Sequence, residues 1–205
     1  MSSPRFRELI RRASELRRNL LPRAFSPTGT YKARELDRAR GYRLLIHAEV
    51  EAFLEDRVRQ TANDAIAKWL VDRRLRSCLM SLLAFYLEQE IVSHKQLKDE
   101  YAGTNQRLDE ALESACDAFN KSVGQNNGVR ERNVLRLLFP VGLKRNEIDP
   151  TWLSTIDSFG TRRGEVAHSS VQTQQPPDPK NELDTVKLIL KGLADIDRVL
   201  QRIGR

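Results

Sequence analysis

Between residues 31 and 73 the chain repeats apolar side chains at helical spacing for longer than any other stretch does. Leu36, Ala39, Ile46, Val50, Phe53, Leu54, Val58, Ala65, Ile66, Trp69 and Leu70 fall on one stripe that drifts slowly round the axis. A stripe of that length has to be covered, so the remaining elements must pack along it. Gly41 is a place where this helix can bend. Thr61-Ala62-Asn63-Asp64 is a place where it can break, because Thr, Asn and Asp favour helix caps.

The rest of the chain supplies more helices. Residues 4–21 carry Phe6, Leu9, Ile10, Ala13, Leu16 and Leu20 at three- and four-residue steps, with Pro4 near the start and Pro22 just beyond the end. Ser26-Pro27-Thr28-Gly29 then reads as a loop. Residues 75–91 form an unusually apolar third helix, suited to the core or to a subunit contact. A polar stretch from 94 to 104 leads to a fourth helix over 105–123. Gly124-Gln125-Asn126-Asn127-Gly128 ends it with turn chemistry. A short helix over 129–138 stops before Pro140, and Asp149-Pro150 opens the next, with Asp at the cap and Pro in the first turn. After a polar loop over 169–179, a last helix spans 181–203. The chain contains no convincing strand, no internal repeat and no Gly-rich phosphate loop. The pattern predicts an all-α bundle.

Composition narrows the class further. At 205 residues the chain can bury a full core, and 40% hydrophobic with 31% charged residues fits a globular, cytoplasmic protein. No apolar run approaches the roughly 20 residues needed to cross a bilayer, so no membrane partner is expected. Two cysteines, Cys78 and Cys116, lie in apolar helical patterns and read as buried free thiols; two thiols do not make a zinc site unaided. No metal and no cofactor are expected. The net charge of +7 is uneven: residues 1–43 hold 12 of the 35 Lys/Arg and only 4 of the 28 Asp/Glu. The remaining residues hold 23 and 24, so the whole excess is N-terminal. A basic arm of this kind suits a polyanion such as RNA, with Arg11, Arg12, Arg17 and Arg18 as its contacts. Glu8 and Glu15 argue against a mitochondrial transit peptide.

Candidate chemistry is concentrated in Asp157-Ser158-Phe159-Gly160-Thr161-Arg162-Arg163-Gly164-Glu165-Val166-Ala167-His168-Ser169-Ser170. This stretch holds one of the three histidines. Arg163 and His168 have four residues between them. Spacing alone is weak, since Arg40 and His47, with six between them, satisfy the same loose rule. On a helix the pair would lie about 140° apart and about 7.5 Å along the axis. RNA carries its own nucleophile, the 2′-OH. Cleavage through it needs a base, an acid, and positive charge at the phosphate. Histidine titrates near neutral pH, and arginine presents a planar fork to phosphate oxygens. Glu165, three residues before His168, can hydrogen-bond the imidazole, and Arg162 adds charge. One such histidine per chain leaves either the acid or the base unfilled, and a twofold partner would supply it. A homodimer with a shared site is therefore expected. His47 reads as a core or interface residue and His94 as a surface one. Glu49, Glu51 and Glu55 read as a solvated face from which one could reach the site.

These features resemble the HEPN superfamily, and in particular its RiboL-PSP type. A long helix carries the acidic-aromatic segment His47-Ala48-Glu49-Val50-Glu51-Ala52-Phe53-Leu54-Glu55. A late helix ends in Arg163-Gly164-Glu165-Val166-Ala167-His168, and a polar, proline-containing loop and a closing amphipathic helix follow. The resemblance covers residues 31–205, with residues 1–30 as an added basic helix and linker. It implies a four- or five-helix bundle dimerising around the two motifs, with Arg163 stabilising phosphate and His168 as acid/base. It further implies metal-independent cleavage of tRNA or mRNA in toxin–antitoxin or antiviral systems, with an antitoxin or sensor protein as a possible partner. The family commonly has a polar residue after the arginine, often asparagine, where this chain has Gly164.

Two other classes compete. A non-catalytic HEPN module would bind RNA or a partner protein through the same groove. A DNA-binding regulator would use the Arg-rich N-terminal helix, but no helix-turn-helix signature is present and residues 26–30 do not form a tight recognition turn.

Overall fold

The computed structural model describes residues 2–86, 104–168 and 176–204; the side chains of residues 104–107 and 164–168 lie outside the description. The described residues form seven α-helices. These are α1 (Pro4–Leu20), α2 (Ala33–Asp72), α3 (Ser77–Tyr86), α4 (Thr104–Gly124), α5 (Glu131–Leu138), α6 (Pro150–His168) and α7 (Pro179–Ile203), with a 3-10 turn at Arg145–Glu147 before α6. No strand occurs among the described residues, and the expected all-α fold is what the chain adopts.

Helix α2 is the axis of the structure. It runs for 40 residues and touches each of the other six helices. Most of its apolar stripe leaves solvent: Ala39, Ile46, Val50, Phe53, Leu54, Val58 and Ala65 are fully buried, whereas Leu70 near its end is exposed. The expected break at residues 61–64 does not occur. The Thr61 hydroxyl donates back to the Arg57 carbonyl at 2.8 Å, so the residue is satisfied inside the helix rather than at a cap. The helix also continues through Gly41. It ends at Arg73, whose φ of 56° is left-handed. There the guanidinium lies over the Trp69 ring, 5.6 Å from its centroid, and pairs with Asp109 of α4.

Helix α1 is capped by Ser3, whose hydroxyl accepts from Phe6 N–H at 3.0 Å, and Pro4 occupies the first turn. Phe6, Leu9, Ala13 and Leu16 are buried in the same core as α2, with the Phe6 and Phe53 rings edge-on at 5.7 Å. The buried core therefore continues across residue 30. The expected third helix over 75–91 is described as α3, Ser77–Tyr86; residues 87–91 and His94 lie outside the described residues. Cys78 and Cys116 are buried free thiols, and burial pushes the Cys78 thiol up to about 12 and raises that of Cys116.

Asp149 caps α6 as its sequence predicts, accepting from Thr151 N–H at 2.8 Å. Helix α7 begins two residues earlier than its periodicity suggests. Asp178 accepts from Lys180 and Asn181 N–H groups and Pro179 takes the first helical position. The proline that reads as the end of the loop is the start of the helix.

Two buried ion pairs fix α7 against α2. Arg43 grips Glu182 with two N–H groups, one of them Nε at 3.0 Å, and Arg57 Nε reaches Asp197 at 2.8 Å. All four side chains are almost wholly buried. The partners advance by 14 residues on α2 and 15 on α7, about four turns on each. The two helices therefore run side by side and parallel, with these pairs as rungs.

Candidate functional site

Three pieces of chain meet near the C-terminal half of α6: the Arg43–Glu51 stretch of α2, α6 itself, and the turn over residues 126–130. Phe159 joins α6 to α2. It is buried, and the His47 ring stacks on it with centroids 5.5 Å apart and planes 25° apart. Arg163 follows Phe159 by one turn, so it lies on the same face of α6. It is partly buried, and its charge reaches His47.

His47 is electrostatically unusual. Burial pushes its pKa down to about 4, and the Arg163 charge acts in the same direction. At neutral pH it is an uncharged imidazole. Its Nδ1 is 3.7 Å from Glu51, longer than a hydrogen bond. The Glu51 carboxylate is occupied elsewhere, accepting from Gly128 N–H and from the Asn126 amide at 3.4 Å. The same amide donates to Glu55 at 3.0 Å. Glu49 pairs with Arg12 at 3.0 Å. The expectation that Glu49, Glu51 and Glu55 form a solvated face is therefore corrected. Each is at least partly buried and holds another segment, because α1 and the 126–128 turn pack over that side of α2.

The turn is tied to α6 from its other end. Asp157 accepts from Glu131 N–H at 3.0 Å, which caps α5, and Arg130 donates to Thr161 at 3.0 Å. Behind the site, Arg43 Nη1 donates to the Arg162 carbonyl at 3.5 Å. One guanidinium thus joins α2, α7 and the backbone next to Arg163. Among the predicted residues, Arg162 and Arg163 are placed on this surface, with Arg162 Nε donating to the Ser158 carbonyl at 3.3 Å. The α6 backbone continues to His168, so Arg163 and His168 share one helix. The side chains of Glu165 and His168 lie outside the described residues.

The predicted RNA contacts on α1 divide. Arg11 pairs with Glu15, and Arg12 with Glu49 and Glu15. Arg17 lies over the Phe25 ring at 5.2 Å, and Arg18 is exposed. No group of three or more His, Cys, Asp or Glu able to hold a metal ion occurs among the described residues. No helix there is long and apolar enough to cross a membrane.

Sequence reasoning missed the proximity of His47 to Arg163 and the Arg43–Glu182 pair. A signal for the second existed. Arg43 lies on the buried stripe, four residues after Ala39 and three before Ile46, and Glu182 sits four before Val186 on that of α7. A charge on a core stripe calls for an opposite charge on the facing one.

The RiboL-PSP-HEPN family profile matches residues 7–202. The chain belongs to this HEPN-superfamily family. The match begins inside α1 and ends inside α7, so it takes in all of the buried core but Phe6. No curated protein and no solved structure gives a significant match. HEPN domains often act as ribonucleases, and many bind RNA and dimerise.

Proposed function

We propose that this HEPN domain is a metal-independent endoribonuclease that works as a homodimer, in a toxin or anti-phage defence role. Arg163 and His168 are the catalytic residues, with Glu165 and Arg162 in support. The observation that carries this reading is the environment of Arg163. It is partly open, it belongs to a helix locked in place by Arg43, Asp157 and Thr161, and it faces a histidine that stays neutral. An arginine so placed keeps its fork available for a phosphate. His47, titrating near 4, is poorly matched to proton transfer at neutral pH, which leaves that work to His168.

In the reaction, the 2′-oxygen of one nucleotide attacks its own 3′-phosphorus while the bond from phosphorus to the next 5′-oxygen breaks. One protomer's neutral His168 accepts the 2′-OH proton. The other protomer's protonated His168 donates to the leaving 5′-oxygen. Arg163 from each side neutralises charge on the non-bridging oxygens. The products are a 2′,3′-cyclic phosphate and a 5′-hydroxyl.

The test is cleavage of a mixed tRNA and mRNA pool in EDTA, with His168→Ala and Arg163→Ala alongside. Each variant should lose at least about 100-fold in rate, with cyclic phosphate ends found only for the wild type. No cleavage, with RNA binding unchanged in both variants, would replace this reading with a non-catalytic module that binds RNA or a protein. A monomer by light scattering at micromolar concentration would defeat the shared-site mechanism.

A further inference from the structure

Away from α6, a groove of about 410 Å³ opens between α1 and α7. Its floor is aliphatic. Ile10 of α1 is 38% exposed there, facing partly buried Leu183 and Leu190 of α7. Its rim is basic. Arg11, Arg17 and Arg18 line one side and Lys187 the other, and among the described residues no carboxylate lines the groove. The rim charges are weakly committed. Arg11 and Lys187 each hold only an exposed ion pair within their own helix, to Glu15 and Asp184, a kind that contributes little. Arg17 faces an aromatic ring and a carbonyl instead of a carboxylate.

We propose that this groove docks an acidic amphipathic helix of a partner protein. The apolar floor calls for aliphatic side chains and the four cations for carboxylates flanking them, which is the composition of one helix face. Residues 10–18 of α1 cover about 12 Å, room for roughly two turns of docked helix. The floor also separates this partner from RNA. A single strand needs flat aromatic rings for its bases, and the only aromatic residue lining this groove, Tyr42, is 1% exposed. The inference does not depend on the nuclease reading.

The probe is a labelled synthetic peptide of about 16 residues, with leucines at one-turn spacing and glutamates between them, followed by fluorescence polarisation against the full chain. A scrambled peptide of the same composition and a single-stranded RNA of similar length are run beside it. Binding of the ordered peptide is expected, weaker by at least about tenfold for the scrambled one. Arg18→Glu with Lys187→Glu should weaken the ordered peptide by a similar factor, and should gain binding to a version with lysines in place of the glutamates. Ile10→Asp should weaken the peptide without changing affinity for the RNA. Circular dichroism checks that these surface variants fold. Equal binding of ordered and scrambled peptides would overturn the proposal. So would loss of RNA affinity in Ile10→Asp, which would make the groove an RNA surface. Loss of self-association in the double variant would assign it to a second copy of this chain.

Discussion

The two rungs between α2 and α7 use the same chemistry for different ends. At Arg57–Asp197 the second carboxylate oxygen accepts from Ser3 N–H at 2.8 Å and from Gln201 at 2.9 Å, while the arginine's Nη1 donates to Gln60 at 2.6 Å. These bonds all go to structural partners: the pair pins the start of α1 to the end of the bundle. At Arg43–Glu182 both carboxylate oxygens accept from the arginine, and its Nη1 donates to the Arg162 carbonyl. That rung holds the backbone beside the proposed catalytic arginine. Equal burial and equal pairing therefore mark an anchor in one place and a support for the site in the other. What separates them is what each Nη1 reaches, Gln60 in one and the Arg162 carbonyl in the other.

The largest expected effects come from cutting each rung. Asp197→Leu leaves a buried guanidinium uncompensated and should cost about 3–5 kcal/mol in urea unfolding. Glu182→Leu should cost a similar amount. Activity separates the two. Assayed well below their unfolding midpoints, Asp197→Leu should cleave like the wild type, whereas Glu182→Leu should fall at least about tenfold, because α6 loses its tie. Replacing both partners, as in Arg57→Met with Asp197→Leu, should recover most of the stability and leave a deficit of about 1 kcal/mol from the orphaned Ser3 amide. Equal activity losses at both rungs would erase the distinction.

The second effect is acid sensitivity confined to the site end. Unfolded, His47 takes its proton near 6.5; folded, it resists until about 4. Between those values the unfolded chain binds the extra proton, so stability from this residue is complete above about 6.5 and is lost as pH falls towards 4, by at most about 3 kcal/mol. Denaturant titrations from pH 7.5 to 4.5 should show that slope in the wild type and a shallower one in His47→Gln. The Arg57–Asp197 cluster contains no histidine, and Arg57→Met with Asp197→Leu should keep the wild-type slope. An unchanged slope in His47→Gln would place the acid sensitivity elsewhere.

How much of this was legible in the sequence follows from what repeats. The stripe on α2, Pro4 in the first turn of α1 and the cap at Asp149 are local, fixed by residues within one or two turns, and the helices they predict are present. The pairs Arg43–Glu182 and Arg57–Asp197 span 139 and 140 residues of chain. Periodicity places each charge on a buried face but cannot say which facing charge it meets. Glu49, Glu51 and Glu55 misled for the same reason. Acidic residues on a long helix look solvated until the segment that covers them is known, and here that cover is α1 and an Asn-Gly turn. The Arg/His stretch was legible as a helix, and its neighbour His47 was not. Its place beside Arg163 depends on how α2 and α6 pack, with Phe159 between them.

The smallest expected effect tests how tightly that packing is set. A methyl group on Gly160 would stand 3.1 Å from the Arg130 nitrogen and 3.2 Å from its Cγ, closer than a relaxed contact, so α6 or the 129–130 turn must give way by a few tenths of an ångström. The strain opposes a gain of about 0.8–1.0 kcal/mol from placing alanine rather than glycine inside a helix. Gly160→Ala should therefore change stability by less than about 1 kcal/mol in either direction. Its effect on cleavage should be larger than its effect on stability, since the displacement occurs three residues before Arg163, on the helix that Arg43 steadies. A variant as active as the wild type would mean that the turn, and not α6, absorbs the shift. The support from Arg43 would then hold α6 firmly enough to keep Arg163 in place against a push from the opposite side.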